Sequence, residues 1–365
     1  MIGADEGQDA RTQQENHRVN APTVARANAT APGTPGSPAD PISMQMEYAK
    51  HENRSETSAE MNGMENPHTG LQGQYVGFIQ KLRCDPTDTP DEMRTPSFTR
   101  ELVAEFIGCF LLILYGCGIN ATATLFAAQS GLFQVSVIWG FAVLLAIWTT
   151  GSISGAHINP SVSLSLMLLK PEDFPAWKLL PYWFAQLLGC FAGAAMVYLL
   201  MGTSIETFEY TNGIIRGEEN SDWSASIFGM YYPNPGYRNT EGLGWGYTHV
   251  TMAGSLGCEI LGTAVLMFSV LALNDPRNQL RLGPAAAAFG VSMVIILNVA
   301  IFGAINQAGY NPARDLGPRL VAACAGWGDI AFPGPQNGFW VYTIGPLIGA
   351  PLGGAVHEFI LMRGL

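Results

Sequence analysis

Two short segments hold the residues best suited to handle a small molecule: His157-Ile158-Asn159-Pro160-Ser161-Val162 and Tyr310-Asn311-Pro312-Ala313-Arg314-Asp315. Neither sets a nucleophile beside a base, and the six His and six Cys show no metal-ligand spacing. What each segment offers is hydrogen-bond donors at the start of a helix. Pro fits the first helical turn, where its missing N–H would be unpaired anyway, and Asn is a favoured N-cap. The first run, Val162 to Leu169, ends at Lys170-Pro171, and the second, Asp315 to Cys324, ends at Ala325-Gly326. Runs this short cannot cross a bilayer, which takes about 20 apolar residues, so each is expected to span half of one.

One isolated Asn-Pro usually starts an ordinary surface helix. Here the device is duplicated. Glu105-Phe106-Ile107-Gly108 precedes the first copy and Glu259-Ile260-Leu261-Gly262 the second, with Glu-to-Asn separations of 54 and 52 residues. Corresponding interrupted apolar segments in two halves of a membrane protein point to a site at the midplane. Charged groups at that depth are expensive, so Glu105, Glu259 and Arg314 need reasons. The two carboxylates are expected to accept hydrogen bonds from the non-helical backbone leading into each half-helix, since such backbone survives at lipid depth only when satisfied. A proton relay is the alternative, and apart from His157 no further titratable group at depth supports it.

The rest of the chain must bring these segments together. It has 365 residues, 48% hydrophobic and 13% charged, with 42 Gly, and the average hides two regions. Residues 1–97 hold 14 acidic and 8 basic residues and almost no apolar periodicity, which predicts a disordered tail. Within it, Tyr75 to Arg83 mixes apolar and basic residues and either rests on a membrane surface or is a solvated linker. No charged and apolar leader opens the sequence, so the first span is expected to direct insertion. From residue 98 onward, apolar stretches of spanning length run over about 102–125, 132–151, 177–201, 249–273, 284–304 and 339–362. The half-helices follow the second and fifth, giving three spans and one half-span in each of two repeats, about 98–201 and 249–365. An odd number of crossings inverts the second repeat. The fold class is therefore an all-α membrane protein, an inverted repeat of six spans plus two re-entrant half-helices.

Arg94, Arg100, Lys170, Lys178, Arg277, Arg281 and Arg363 fall on one side of these spans, which predicts both termini cytoplasmic. The opposite side carries the loop 202–248, rich in acidic and aromatic residues, which either folds over a channel mouth or packs as an ordinary extracellular loop. Cys in the spans reads as small hydrophobes.

Brought together N-end to N-end, the half-helices each carry roughly half a positive charge, so their junction repels cations. Asn159 and Asn311 would donate into the lumen while loop carbonyls accept, a combination that suits a neutral hydroxylated molecule. With Ser154-Gly155-Ala156-His157 before the first Asn-Pro and Asn311-Pro312-Ala313-Arg314 at the second, the chain from about Phe98 to Leu365 resembles the major intrinsic proteins, the aquaporin superfamily, and within it the aquaglyceroporins. The resemblance implies a homotetramer of independent pores in the lipid bilayer, passing glycerol, water and related neutral solutes such as urea or hydrogen peroxide, with no cofactor, no metal, no nucleic-acid partner and no enzymatic step. It implies that Asn159 and Asn311 are the motif asparagines and that Trp139, Val299, Ala308 and Arg314 form the constriction. His157, Pro160, Ser161, Tyr310, Pro312, Ala313 and Asp315 line the pore or support the motifs. Asp315 after Arg314 and the long loop after span three look like the glycerol branch. Ser161 departs mildly from the motif, and Asn306 to Tyr310 departs in its Gly and aromatic spacing, so the side of the constriction near Ala308 depends on whether Gln307 or Tyr310 turns inward. A predominantly water-selective channel, a secondary transporter and a membrane receptor are the competing readings. Flux independent of an ion gradient and swelling of vesicles in glycerol separate them. The plasma membrane is the expected location.

Overall fold

The structure is a computed structural model that describes residues 96–237, 246–280 and 282–364. The expectations for the tail, including Tyr75 to Arg83, lie outside the described residues. Among the described residues the architecture is helical throughout: α1 (Phe98–Phe126), α2 (Leu132–Ser154), the short α3 (Pro160–Leu169), α4 (Leu179–Thr211), α5 (Met252–Asn274), α6 (Pro284–Asn306), the short α7 (Pro312–Ala322) and α8 (Val341–Ala355). Six segments among the described residues are long and apolar enough to cross a membrane, the third running from Ala176 through α4 and the sixth from Pro335 through α8 to Leu361.

The ends of these helices follow from local chemistry. Ser97 caps α1 and Thr251 caps α5, each hydroxyl accepting a backbone N–H three residues on, from Arg100 and Gly254. Helices α2 and α6 end alike, at Gly155 (φ +81°) and Gln307 (φ +67°), both left-handed C-caps that turn the chain into a loop before the next half-helix. Within each repeat α1 packs along α4 and α2, and α5 along α8 and α6, while α2 packs on α6 across the repeats. The half-helices also cross over: α3 seats mainly on α8, and α7 on α4. That exchange brings the two N-termini into one place. Phe133, Leu199, Leu200 and Ile301 remain exposed on the outer faces, as a lipid-facing belt requires.

The largest departure from the sequence reading is at the end of α4. Helix α4 continues ten residues past 201 to Thr211, because a helix beyond the lipid no longer needs apolar residues. Glu209, near its end, pairs with Arg216 at 2.8 Å. Helix α3 begins at Pro160 directly after its Asn159 cap, as the Asn-Pro reading expects. Helix α7 likewise begins at Pro312 on its Asn311 cap, as expected, and passes at Ala323 into a wider turn ending at Trp327, where Gly326 takes φ +103°.

Candidate solute pathway

Each half-helix starts on its asparagine. Asn159 Oδ1 accepts the Ser161 N–H at 2.9 Å and the Ser161 hydroxyl at 2.7 Å. Asn311 Oδ1 accepts the N–H groups of Ala313 at 3.0 Å and Arg314 at 3.2 Å. Ser161 therefore supplies by its side chain the second donor that the other cap draws from backbone. With both oxygens occupied, the amide nitrogens point away from their own helices. Asn159 Nδ2 donates to the Tyr310 carbonyl and Asn311 Nδ2 to the Ile158 carbonyl, each at 2.8 Å. The two motifs are thus tied by reciprocal bonds, from each asparagine to the residue before the other.

The carboxylates hold the loops that present those carbonyls. Glu105 accepts the N–H groups of His157 (2.9 Å) and Ile158 (2.7 Å), the Ser154 hydroxyl (2.6 Å) and the Gln186 amide (2.8 Å). Glu259 accepts the N–H groups of Gly309 (2.8 Å) and Tyr310 (2.7 Å) and the Asn306 amide (3.0 Å). Left-handed residues make these loops: Ala156 and Ile158 in one, Gln307, Ala308 and Tyr310 in the other. Such non-glycine conformations persist where the surroundings over-determine them. The glycine three residues after each Glu completes the seat. A Cβ on Gly108 would stand 2.6 Å from Ile158 Cγ2, and one on Gly262 would overlap the Tyr310 ring. The Glu-x-x-Gly pattern therefore places both the backbone N–H groups and the side chain of the residue that faces the opposite asparagine.

A cavity of about 750 Å³ runs past these motifs. Trp139, His157, Asn159, Val299, Ala308, Tyr310, Asn311 and Arg314 line it. At its far mouth lie Ser152, Asn274 and Ala285, with Trp148 donating Nε1 to the Ala285 carbonyl at 3.4 Å. Arg314 is 3% exposed, its guanidinium 4.2 Å from the Trp139 ring centroid, and Nη1 lies 3.5 Å from the Phe228 carbonyl. Trp139 is fixed in turn by Nε1 donating to Asn120 Oδ1 at 3.1 Å.

Other residues singled out in the sequence stand behind the lining. Pro160, Ser161, Pro312, Ala313 and Asp315 are buried. The Pro160 carbonyl accepts Trp183 Nε1 at 2.9 Å. Asp315 forms an ion pair with Arg319 at 2.9 Å and accepts the Met230 N–H at 2.8 Å, so it fastens the loop between α4 and α5 instead of facing the cavity. His157 packs on the Phe174 ring with Nδ1 3.0 Å from Ser163 Oγ. Neither Gln307 nor Tyr310 turns a side chain into the gap beside Ala308. Tyr310 lies on Gly262 with its hydroxyl 3.4 Å from the Asn298 carbonyl, while Gln307 reaches outward to Tyr231 and Ser226.

Four participants escaped the sequence reading: Asn120, Gln186, Asn306 and Phe228. For the first three a signal existed, an amide side chain inside an apolar span, which needs a buried partner. Phe228 acts through its carbonyl and leaves no such trace. The loop it belongs to packs inward, with Phe228, Met230, Tyr231 and Tyr232 all buried.

Two half-helices meeting head to head within a six-span bundle, around a cavity with a fixed guanidinium, define a transmembrane channel. Residues 92–357 match the family described as Major intrinsic protein, and the chain belongs to that family. It is 36% identical over 273 residues to the glycerol uptake facilitator protein of Pseudomonas aeruginosa, covering 74% of this chain and 92% of that one. It is 35% identical over 274 residues to the glycerol uptake facilitator protein of Escherichia coli, with the same coverage. With a propanediol uptake facilitator of Citrobacter freundii it shares 33% over 271 residues, 74% of this chain and 94% of the relative. The aquaglyceroporin structure from Plasmodium falciparum matches with a TM-score of 0.61 at 24% identity, over 73% of this chain and 97% of that chain, which shows a common fold.

Proposed function

We propose that this chain forms a passive channel for glycerol, water and other small neutral solutes that excludes ions and protons. The carrying observation is the reciprocal pair of bonds between Asn159 and Tyr310 and between Asn311 and Ile158, which joins two helix N-termini beside the cavity. Each terminus carries about half a positive charge, and the junction disfavours any cation there. The names of the uptake-facilitator relatives support glycerol or a related diol as the solute.

Trp139, Val299, Ala308 and Arg314 form the constriction on this reading. All four line the cavity, and Arg314 stacks over Trp139, so one wall offers hydroxyl-binding donors and the other an apolar surface. A polyol has both faces. The domain reading is a cytoplasmic tail before residue 98, repeats of about 98–201 and 249–365, and an extracellular loop between them. The homotetramer, the plasma membrane and cytoplasmic termini complete the proposal. Asn28-Ala29-Thr30 and Asn53-Arg54-Ser55 are glycosylation sequons, so glycan on either asparagine in a eukaryotic host reverses the orientation.

Purified protein in liposomes, followed by stopped-flow light scattering, should pass glycerol and water at rates independent of any ion or proton gradient. Glycerol flux that requires such a gradient would make the chain a secondary transporter instead. Water flux without glycerol flux would make it a water channel.

A further inference from the structure

The side chain of Gln307 lies behind the constriction and belongs to none of the motifs. Its backbone caps α6 in the left-handed region, at φ +67°, where glycine is the favoured residue. A long polar side chain at such a position calls for a compensating contact, and two are present. Gln307 Oε1 accepts the Tyr231 N–H at 2.7 Å, and Nε2 donates to the Ser226 carbonyl at 3.1 Å. One primary amide thus bridges two points of the outer loop five residues apart, on either side of Phe228.

Phe228 offers the carbonyl that Arg314 Nη1 approaches at 3.5 Å. Farther along the loop, Asp315 holds the Met230 N–H at 2.8 Å, and Asn234 returns its N–H to the Ile305 carbonyl at 3.0 Å. These anchors fix the loop after Phe228. Gln307 closes it on both sides, as a staple, and so determines where the Phe228 carbonyl stands. The Trp139 ring fixes the plane on which the Arg314 guanidinium lies, and the Phe228 carbonyl is the backbone acceptor toward which Nη1 turns within it.

We propose that Gln307 is a positioning residue for solute selectivity. By stapling Ser226 to Tyr231 it sets the Phe228 carbonyl, and through it the direction in which Arg314 presents its N–H groups to a passing solute. The proposal rests on the channel reading above. The charge at Arg314 does not depend on the staple, but its aim does, so polyol passage and cation exclusion are separable at this residue.

The test is Gln307→Gly in liposomes. Glycine relieves the backbone at this φ and deletes both side-chain bonds, so assembly should be retained. Losing aligned donors of ordinary hydrogen-bond strength should lower glycerol permeability roughly 2- to 10-fold relative to wild type. Water permeability per channel should stay nearly constant, and proton leak should not rise. A glycerol-to-water ratio equal to that of wild type, or glycerol and water falling in the same proportion, overturns the proposal. Gln307→Glu is the second variant. It keeps an acceptor for Tyr231 but sets an oxygen against the Ser226 carbonyl, and an unchanged ratio there is equally fatal. Wild-type protein that passes no glycerol would instead refute the channel reading, which keeps the two failures distinct.

Discussion

Gly116 faces Trp139 across the α1–α2 contact, and one added methyl group there should retune the pore. A Cβ at this position would stand 2.7 Å from Trp139 Cε3 and nearer still to Cζ3 and Cη2. Carbon atoms settle at about 3.5–4.0 Å, so the ring must move by about 1 Å. It cannot retreat into α1, and its Nε1 bond ties it to Asn120 on that same helix. Movement is therefore toward the lumen and Arg314, against packing that resists by about 1–3 kcal/mol. Glycerol that must push the ring back meets this as added barrier, which slows it roughly 5- to 160-fold. Water is narrower and should change less than about twofold on the same argument. The assay is parallel stopped-flow glycerol and water permeability of Gly116→Ala, normalised to channel number. Gly118→Ala on the same helix, where a Cβ meets nothing within 4 Å, is the control and should be neutral in both fluxes. Unchanged glycerol flux in well-assembled Gly116→Ala would refute the seating of Trp139 at the constriction. Equal losses of glycerol and water would do the same.

Three further outcomes are expected. Arg314→Val removes a buried charge beside the half-helix junction, so cation or proton leak should rise in liposomes while neutral flux persists, and no leak in a well-assembled variant counts against the filter role. Val299→His adds bulk and polarity to an apolar part of the lining, so glycerol flux should fall more than water flux, and proportional losses would remove Val299 from the constriction. At the opposite mouth, hydrogen bonds and charge from Arg277 pull the Asp275 carboxyl down to about 2 from an ordinary 3.8, in a cluster with His357. A depressed carboxylate stabilises the fold above its ordinary range and loses that contribution as pH falls from its ordinary value toward 2, so Asp275→Asn should lower the melting temperature at pH 7 and progressively less below pH 4.

Much of this was legible because the same local solution occurs twice. A carboxylate in an apolar span, a glycine one turn later and an Asn-Pro about fifty residues on each demand a buried explanation, and coincidence in both halves leaves few geometries that satisfy all of them. The hidden part was non-periodic. Whether Gln307 or Tyr310 fills the gap beside Ala308 depends on three left-handed backbone positions and on the ring-sized space over Gly262. Helix periodicity contains neither. The loop between α4 and α5 was equally opaque, since its contribution comes through the Phe228 carbonyl and any side chain would supply the same atom.

The two repeats agree at the junction and differ away from it, and the difference has a physical consequence. Both caps saturate Oδ1, one with the help of the Ser161 hydroxyl and the other with the Arg314 N–H, so both amides can act toward the lumen only as donors. A water or hydroxyl at that point must turn its oxygen to them, and its own protons then point along the pore in opposite senses, where a proton cannot be handed straight through. That property is symmetric and needs nothing outside the two motifs. Arg314 stands on one side only, held by a loop that the first repeat lacks, and its counterpart in the first half-helix is Val162. On the proposed reading, choice among neutral solutes rests on Arg314 and the loop between α4 and α5, whereas the donor-only junction needs the two motif asparagines alone, so a change in that loop should alter the first while leaving the second intact.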